Sequence, residues 1–151
     1  MSRRVKTLAR LHRRLYRLSR GRLGGRMVGL PVLLLTTRGR RSGRARTVPL
    51  TYFTDGDAIV LVASYGGRPQ NPEWFENLVA EPTVEVTLGG SRRSLRARRA
   101  NADERARIWP RVVEGYRGYA DYQAKTSREI PLVLLEPVVD ATGGRSRPRS
   151  P

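Results

Sequence analysis

The sequence holds no cysteine and a single histidine, His12, among its 151 residues. Disulfides, thiolate nucleophiles and cysteine-ligated metals are therefore excluded, and no obvious zinc site can be assembled. Lysine is almost missing as well. Lys6 and Lys125 stand alone among 30 basic residues, so nearly every positive charge is a guanidinium. Acidic residues number 13, which leaves a formal net charge of +17. No apolar run approaches a membrane span; the longest, Met27 to Leu35, is interrupted by Gly29 and Pro31. The basic start lacks the apolar core and small-residue cleavage site of a secretory signal, so a cytoplasmic location is expected. Neither a lysine-containing phosphate loop nor a dinucleotide glycine fingerprint is present, which argues against ordinary nucleotide-binding folds. Any chemistry must come from hydroxyls, carboxylates, guanidinium groups or a bound cofactor.

What is present is arginine, enough to make polyanions the natural partners: nucleic acid, acidic lipid or an acidic cofactor. The plainer reading is that arginine replaces lysine across a solvated surface. With 38% hydrophobic residues the chain has the material for one domain and one continuous core.

Three regions are expected. In residues 1–26, Val5, Leu8, Leu11, Leu15 and Leu18 recur every three or four positions with arginines between them, which predicts a basic amphipathic helix over Arg3–Leu18 and a glycine-rich hinge, Gly21 to Gly29, into the main domain. That apolar stripe suits either an anionic membrane surface or the protein's own core or a second subunit. Residues 27–139 form the main domain, and 140–151, rich in Gly, Arg, Ser and Pro, are expected to be disordered. Within the main domain, strands are predicted over Pro31–Thr37, Ala45–Phe53 and Ala58–Ser64, the last two joined by the hairpin signal Asp55-Gly56-Asp57. Asn71 as N-cap and Pro72 at the first position predict a helix over Pro72–Val79. Val84, Val86 and Leu88 alternate with polar residues, and Gly89-Gly90 turns the chain into a partner strand through Leu95 and Ala97. Asp103 can cap a helix that Pro110 should bend or restart; helical character continues through Tyr116–Ala124, and Ile130–Val138 supplies a sixth strand. The expected fold is mainly β (α+β): a six-stranded antiparallel sheet closed into a small barrel, with flanking helices.

Three constellations could carry chemistry. Arg40, Arg41, Ser42, Gly43, Arg44 and Arg46 crowd one turn between apolar strands, where guanidinium groups, a hydroxyl and glycine-freed N–H donors suit an anion such as phosphate; a solvated loop is the plainer alternative. Ser64 precedes Gly66-Gly67 at a strand-to-helix junction, where it could donate to a substrate carbonyl or simply serve the turn. Tyr116, Tyr119 and Tyr122 are spaced three apart, so on a helix they lean toward one side, either walling an aromatic pocket or packing as a core face. Trp74 and Trp109 read most simply as core residues.

The runs Thr36-Thr37-Arg38-Gly39-Arg40-Arg41-Ser42-Gly43, Val48-Pro49-Leu50, Ala63-Ser64-Tyr65-Gly66-Gly67, Asn71-Pro72-Glu73-Trp74 and Asn77-Leu78 come in a telling order. With Trp109-Pro110, the tyrosine row, Asp121-Tyr122-Gln123 and Ile130-Pro131-Leu132, the chain resembles the deazaflavin-dependent nitroreductase and quinone reductase family of actinobacteria, which uses coenzyme F420, an 8-hydroxy-5-deazaflavin. The resemblance covers roughly Pro31 to Pro137 and implies a split β-barrel related to FMN-binding barrels. It implies that the Arg40–Arg46 turn grips the coenzyme's phosphate and polyglutamate tail, with Ser42, Thr47, Val48 and Pro49 alongside. Ala63, Ser64, Gly66, Gly67, Asn71, Trp74 and Asn77 would line the ring and its linker. A hydride would pass from the reduced coenzyme to a menaquinone-like quinone or a nitroaromatic. Ser64 and Tyr122 would donate to the acceptor oxygen, and Tyr116 and Tyr119 would wall its pocket. Arg41 and Tyr65 stand where a nitroimidazole-reducing member has lysine. The family's link with menaquinone in the membrane would make the N-terminal helix a peripheral attachment to the inner face of the plasma membrane.

The rivals are an FMN- or haem-binding split barrel, a coenzyme carrier without turnover, and a basic nucleic-acid-binding module. The last is disfavoured because the motif arginines crowd one turn rather than interleaving with aromatic stacking residues.

Overall fold

The computed structural model of the protein describes residues 26–27 and 29–138. The expected N-terminal helix over Arg3–Leu18 and the expected tail over 140–151 lie outside the described residues. Eight strands and three helices follow one another: β1 (Arg26–Met27), β2 (Leu30–Arg38), β3 (Ala45–Thr51), β4 (Phe53–Asp55), β5 (Ala58–Val62), α1 (Glu73–Ala80), β6 (Thr83–Leu88), β7 (Ser91–Arg99), α2 (Ala102–Gly115), α3 (Gly118–Ala124) and β8 (Leu132–Pro137). A single 3-10 turn, Tyr65–Gly67, lies between β5 and α1.

Every strand pairing is antiparallel. The order is β1-β2-β6-β7-β8-β5-β4, with β3 also paired to β2. The expected six-stranded closed barrel is thus corrected to eight strands whose hydrogen-bonded path is open. The extra strands have local causes. Arg26 and Met27, expected in the hinge, pair with Pro31 and Leu30. The expected strand Ala45–Phe53 divides at Tyr52 because its two parts serve different neighbours: β3 pairs with β2 as far as Thr51, and β4 pairs with β5 from Phe53 onward. Tyr52 donates its N–H to the Pro31 carbonyl at 3.2 Å. One residue thereby carries the chain between opposite ends of the pairing path, and the sheet coils around its inner face.

β5 and the Leu132–Leu135 part of β8 read as unbroken apolar runs because both of their faces are buried. Ile59, Leu61, Val133 and Leu135 point into a first core with Leu33, Leu35, Val84, Val86, Leu95 and Ala97 from the sheet and Trp74, Phe75 and Leu78 from α1. Val60, Val62, Leu132 and Leu134 point the other way, into a second core closed by Ile108 and Val112 of α2 and Tyr119 of α3. Burying a leucine or isoleucine fully contributes about 1.5–3 kcal/mol, so this two-sided burial anchors the strand from which the candidate site emerges.

The helix ends depart from expectation. α1 is capped by Pro72, not Asn71: the Pro72 carbonyl accepts from the N–H groups of Phe75 and Glu76. α2 is capped by Asn101, not Asp103, in a reciprocal capping box with Glu104. Pro110 neither ends nor restarts α2, which runs on to Gly115. The helical stretch expected from Tyr116 begins only at Gly118, leaving Tyr116 with extended backbone between α2 and α3.

Candidate functional site

The arginine turn closes the β2–β3 hairpin. Gly39 N–H donates to Arg44 O and Gly43 N–H to Gly39 O, both at 2.8 Å, and Arg44 N–H donates to Ser42 Oγ at 3.2 Å. Arg40 turns inward. Its Nη1 donates to Glu73 Oε2 at 2.7 Å and to Asn77 Oδ1 at 2.9 Å, and its N–H donates to the same Asn77 oxygen at 3.2 Å. Asn77, 5% exposed, completes its bonding by donating to Thr37 Oγ1 at 3.2 Å. Asn77 and Arg40 are thus occupied in fastening the turn to α1. Arg41, Ser42, Gly43, Arg44 and Arg46 are exposed, and Arg41, Arg44 and Arg46 meet no carboxylate within ion-pair distance among the described residues. Behind them Thr47 shares a 2.8 Å hydroxyl contact with Thr36, Val48 packs on the first core, and Pro49 is half-buried opposite Leu34.

The second element is the bend after β5. Ala63 is fully buried and donates its N–H to Pro131 O at 2.9 Å. Ser64 then has right-handed helical backbone (φ −73°, ψ −38°), whereas Tyr65, Gly66 and Gly67 have φ of 46°, 63° and 77°. A right-handed residue followed by a left-handed one gathers consecutive N–H groups into an anion-accepting concavity. The N–H groups of Ser64, Tyr65 and Gly66 have no acceptor among the described residues, and neither has Ser64 Oγ a partner. Tyr65 in the left-handed region costs of order 1 kcal/mol or more, strain of the kind that gathers at working sites. Arg68 lies 4.7 Å from the Tyr65 ring centroid and donates to its hydroxyl at 3.2 Å.

The bend is held by a residue outside every expected motif. Arg128 donates to Ser64 O at 2.7 Å, Arg68 O at 2.9 Å, Ala63 O at 3.2 Å and Asn71 Oδ1 at 2.9 Å. Burial pushes this guanidinium below its ordinary pKa. Asn71 also donates to Glu76 Oε1 at 3.4 Å, so it bridges Arg128 to α1. No residue-type pattern marks Arg128 in the sequence, because three of its four acceptors are main-chain carbonyls. Trp74, the other residue expected beside the bend, packs edge-on against Phe75 in the first core and is 8% exposed.

The third element is the tyrosine trio. Although Tyr116 lies outside α3, the three rings meet edge to face: Tyr116–Tyr119 at 5.3 Å, Tyr119–Tyr122 at 6.0 Å and Tyr116–Tyr122 at 6.3 Å between centroids. Tyr119 is their buried centre, its hydroxyl 2.7 Å from Thr51 Oγ1, and burial raises its pKa. Tyr116 and Tyr122 remain half-exposed. The neighbouring Tyr116 hydroxyl and then burial hold the Tyr122 phenol above its ordinary value. The trio touches the bend directly: the Gly67 backbone lies so close to Tyr122 that a β-carbon on residue 67 would stand 2.6 Å from Tyr122 O.

α1 therefore joins two donor sets, fastening the arginine turn through Glu73 and Asn77 and the bend through Glu76 and Asn71. Guanidinium groups without a carboxylate partner on one element and N–H groups without an internal acceptor, beside phenols, on the other are donors suited to an anionic, aromatic cofactor. Among the described residues no cluster of His, Asp or Glu could hold a metal, and no helix is long and apolar enough to cross a membrane.

A coiled antiparallel sheet carrying such donor sets is suited to binding an anionic aromatic cofactor. The family model described as F420H(2)-dependent quinone reductase matches residues 8–137, and the chain belongs to that family. It is 44% identical over 132 residues to an F420H(2)-dependent quinone reductase of Mycobacterium tuberculosis, with 85% of this chain and 89% of the relative covered. A solved F420-H2 dependent reductase (FDR-A) superposes with a TM-score of 0.64 at 41% identity, over 70% of this chain and 94% of that one. A solved domain-swapped dimer superposes with a TM-score of 0.66 at 36% identity, over 83% and 96%. Coenzyme F420 is the cofactor this family uses, and the chain is an oxidoreductase.

Proposed function

We propose that this protein reduces a menaquinone-like quinone with reduced coenzyme F420, nitroaromatics being alternative acceptors. The observation that carries the reading is the pairing of the unpaired Arg41, Arg44 and Arg46 with the unpaired N–H groups of Ser64, Tyr65 and Gly66, joined through α1. Arg41, Arg44 and Arg46, with Ser42 and Gly43, would hold the phosphate and carboxylates of the coenzyme tail, for which planar guanidinium forks are suited. Arg40 and Asn77 hold that turn in place, with Thr47, Val48 and Pro49 forming its floor. Ala63, Ser64, Gly66 and Gly67 would receive the ring, with Asn71 and Trp74 supporting the bend from behind.

Bound in its reduced form, the coenzyme supplies a hydride. The protein's part is orientation and charge stabilisation. Ser64 Oγ, with no internal partner, and the half-exposed Tyr122 phenol would be the donors for negative charge growing on an acceptor oxygen. Tyr116 forms the accessible wall, and Tyr119 sets the orientation of its neighbours from beneath. In this reading the coiled sheet is a split barrel hinged at Tyr52. The Arg3–Leu18 sequence, with its apolar stripe between arginines, supports attachment to an anionic membrane where a lipid quinone dissolves.

The test is the affinity of the coenzyme for Arg41→Ala and Arg44→Ala. Each loses charge-assisted contacts of about 1.5–3 kcal/mol, so affinity should fall roughly 10- to 100-fold while the melting temperature holds. Unchanged affinity would remove the tail grip from the account.

A further inference from the structure

The Arg128 guanidinium gathers four acceptors from a stretch of nine residues: the carbonyls of Ala63, Ser64 and Arg68 and the side chain of Asn71. It has no carboxylate partner among the described residues, so its charge is met by carbonyl and amide dipoles alone. Its own backbone is tied to α3. Gln123 donates from Nε2 to Arg128 O at 2.8 Å, and Gln123 Oε1 accepts from Ile130 N–H at 2.9 Å and from Arg105 Nη2 at 3.3 Å. Gln123 follows Tyr122, whose backbone abuts Gly67. The bend is therefore gripped twice, by Arg128 through its carbonyls and by α3 through Gly67, and both grips belong to one stretch running from Tyr122 to Ile130.

We propose that Arg128 is a positioning residue of the reductase site: its guanidinium fixes the Ser64–Gly67 bend at a set distance from the tyrosine trio without itself touching the coenzyme. The inference rests on the reading under Proposed function, which seats the ring at this bend. Carbonyls drawn onto the guanidinium help hold Ser64 and Tyr65 in the backbone conformation that gathers their N–H groups. The same contacts offset the unfavourable φ of Tyr65. A planar five-donor fork can reach four acceptors spread along a bend, whereas a lysine ammonium on the same stem cannot satisfy them together.

Misplacing a reacting group by about 1 Å can cost on the order of 100-fold in rate, whereas the turn carrying Arg41, Arg44 and Arg46 is fastened through Arg40, Glu73 and Asn77, none of which Arg128 contacts. Arg128→Ala should therefore lower kcat by at least about 20-fold while coenzyme affinity stays within about 5-fold. Arg128→Lys, which keeps the charge, should do the same, and added methylguanidinium should restore part of the turnover of Arg128→Ala. In the coenzyme-free protein, amide exchange of the peptide covering residues 63–70 should quicken in both variants while that covering 39–46 is unchanged.

Wild-type kcat in Arg128→Ala, or recovery of kcat in Arg128→Lys, would overturn the positioning role. Should the alanine variant not fold, the lysine variant carries the same test. Failure of the wild-type protein to bind the coenzyme at all would sink the functional reading and the proposal with it. That outcome is told apart by the wild-type titration, and the exchange experiment still reports whether Arg128 orders the bend.

Discussion

Replacing Gly67 with alanine should destabilise the protein far more than the same change at Gly66. Both residues have positive φ, 77° and 63°, where a side chain costs about 1–2 kcal/mol. Around Gly66 a new β-carbon meets nothing within 4 Å. Around Gly67 it meets Tyr122 O at 2.6 Å, Tyr122 Cα at 3.0 Å and Tyr122 C at 3.1 Å, all backbone atoms that cannot swing aside. Overpacking of this kind costs about 1–3 kcal/mol more. The entropy lost by the unfolded chain on gaining an alanine is the same in both variants and cancels in the comparison. At roughly 2–4 °C per kcal/mol for a chain of this size, Gly67→Ala should melt roughly 2–12 °C below Gly66→Ala. Thermal denaturation followed by circular dichroism reads both. Melting temperatures within about 1 °C of each other would refute the close approach of the bend to α3, on which the geometry of the site depends.

Asn77→Ala leaves Arg40 and the buried Thr37 hydroxyl short of a partner, a loss of about 1–3 kcal/mol, so both melting temperature and coenzyme affinity should fall; an unchanged melting temperature would contradict the fastening role. Tyr122→Phe should lower turnover more than coenzyme affinity, and the reverse pattern in steady-state kinetics would remove Tyr122 from the acceptor's side. Glu104, held at about 2 by hydrogen bonds from Arg98 and the Asn101 N–H, has a folded pKa below its ordinary 4.5. Its stabilisation is complete above pH 4.5 and is lost as pH falls toward 2, so Glu104→Gln should show a smaller drop in melting temperature between pH 5 and pH 3 than wild type. Equal drops would contradict the linkage. Full-length protein should sediment with vesicles of anionic lipid and release with salt, whereas a chain beginning at Met27 should stay in solution; equal sedimentation would detach the N-terminal arginines from membrane binding.

Features governed by local chemistry were legible before the fold was known. Asp55-Gly56-Asp57 and Gly89-Gly90 close hairpins as their turn residues dictate, and the alternation of Val84, Val86 and Leu88 matches the buried face of β6. The arginine turn lies between two strands, as its apolar flanks implied. What escaped depends on long-range partners. The break at Tyr52 exists because β3 and β4 pair with different strands, and nothing within Ala45–Phe53 announces it. Asn71 is a good capping residue by type, yet Arg128 and Glu76 engage its side chain and leave the cap to Pro72. Asn101 was recoverable: its three-residue spacing from Glu104 is a capping-box signature, obscured by the nearby Asp103. Arg128 left no trace in composition or periodicity, since its acceptors are mostly main-chain carbonyls sixty residues away in sequence.

The central claim is that one site binds coenzyme F420 and passes its electrons to a quinone. The direct measurement is a titration of the full chain with the reduced coenzyme, with FMN in parallel, followed by addition of menadione while reoxidation is monitored optically. Saturable binding of the deazaflavin in preference to FMN, with reoxidation that requires both protein and quinone, is the predicted result. Binding of FMN alone, or a bound coenzyme that menadione does not reoxidise, would contradict it.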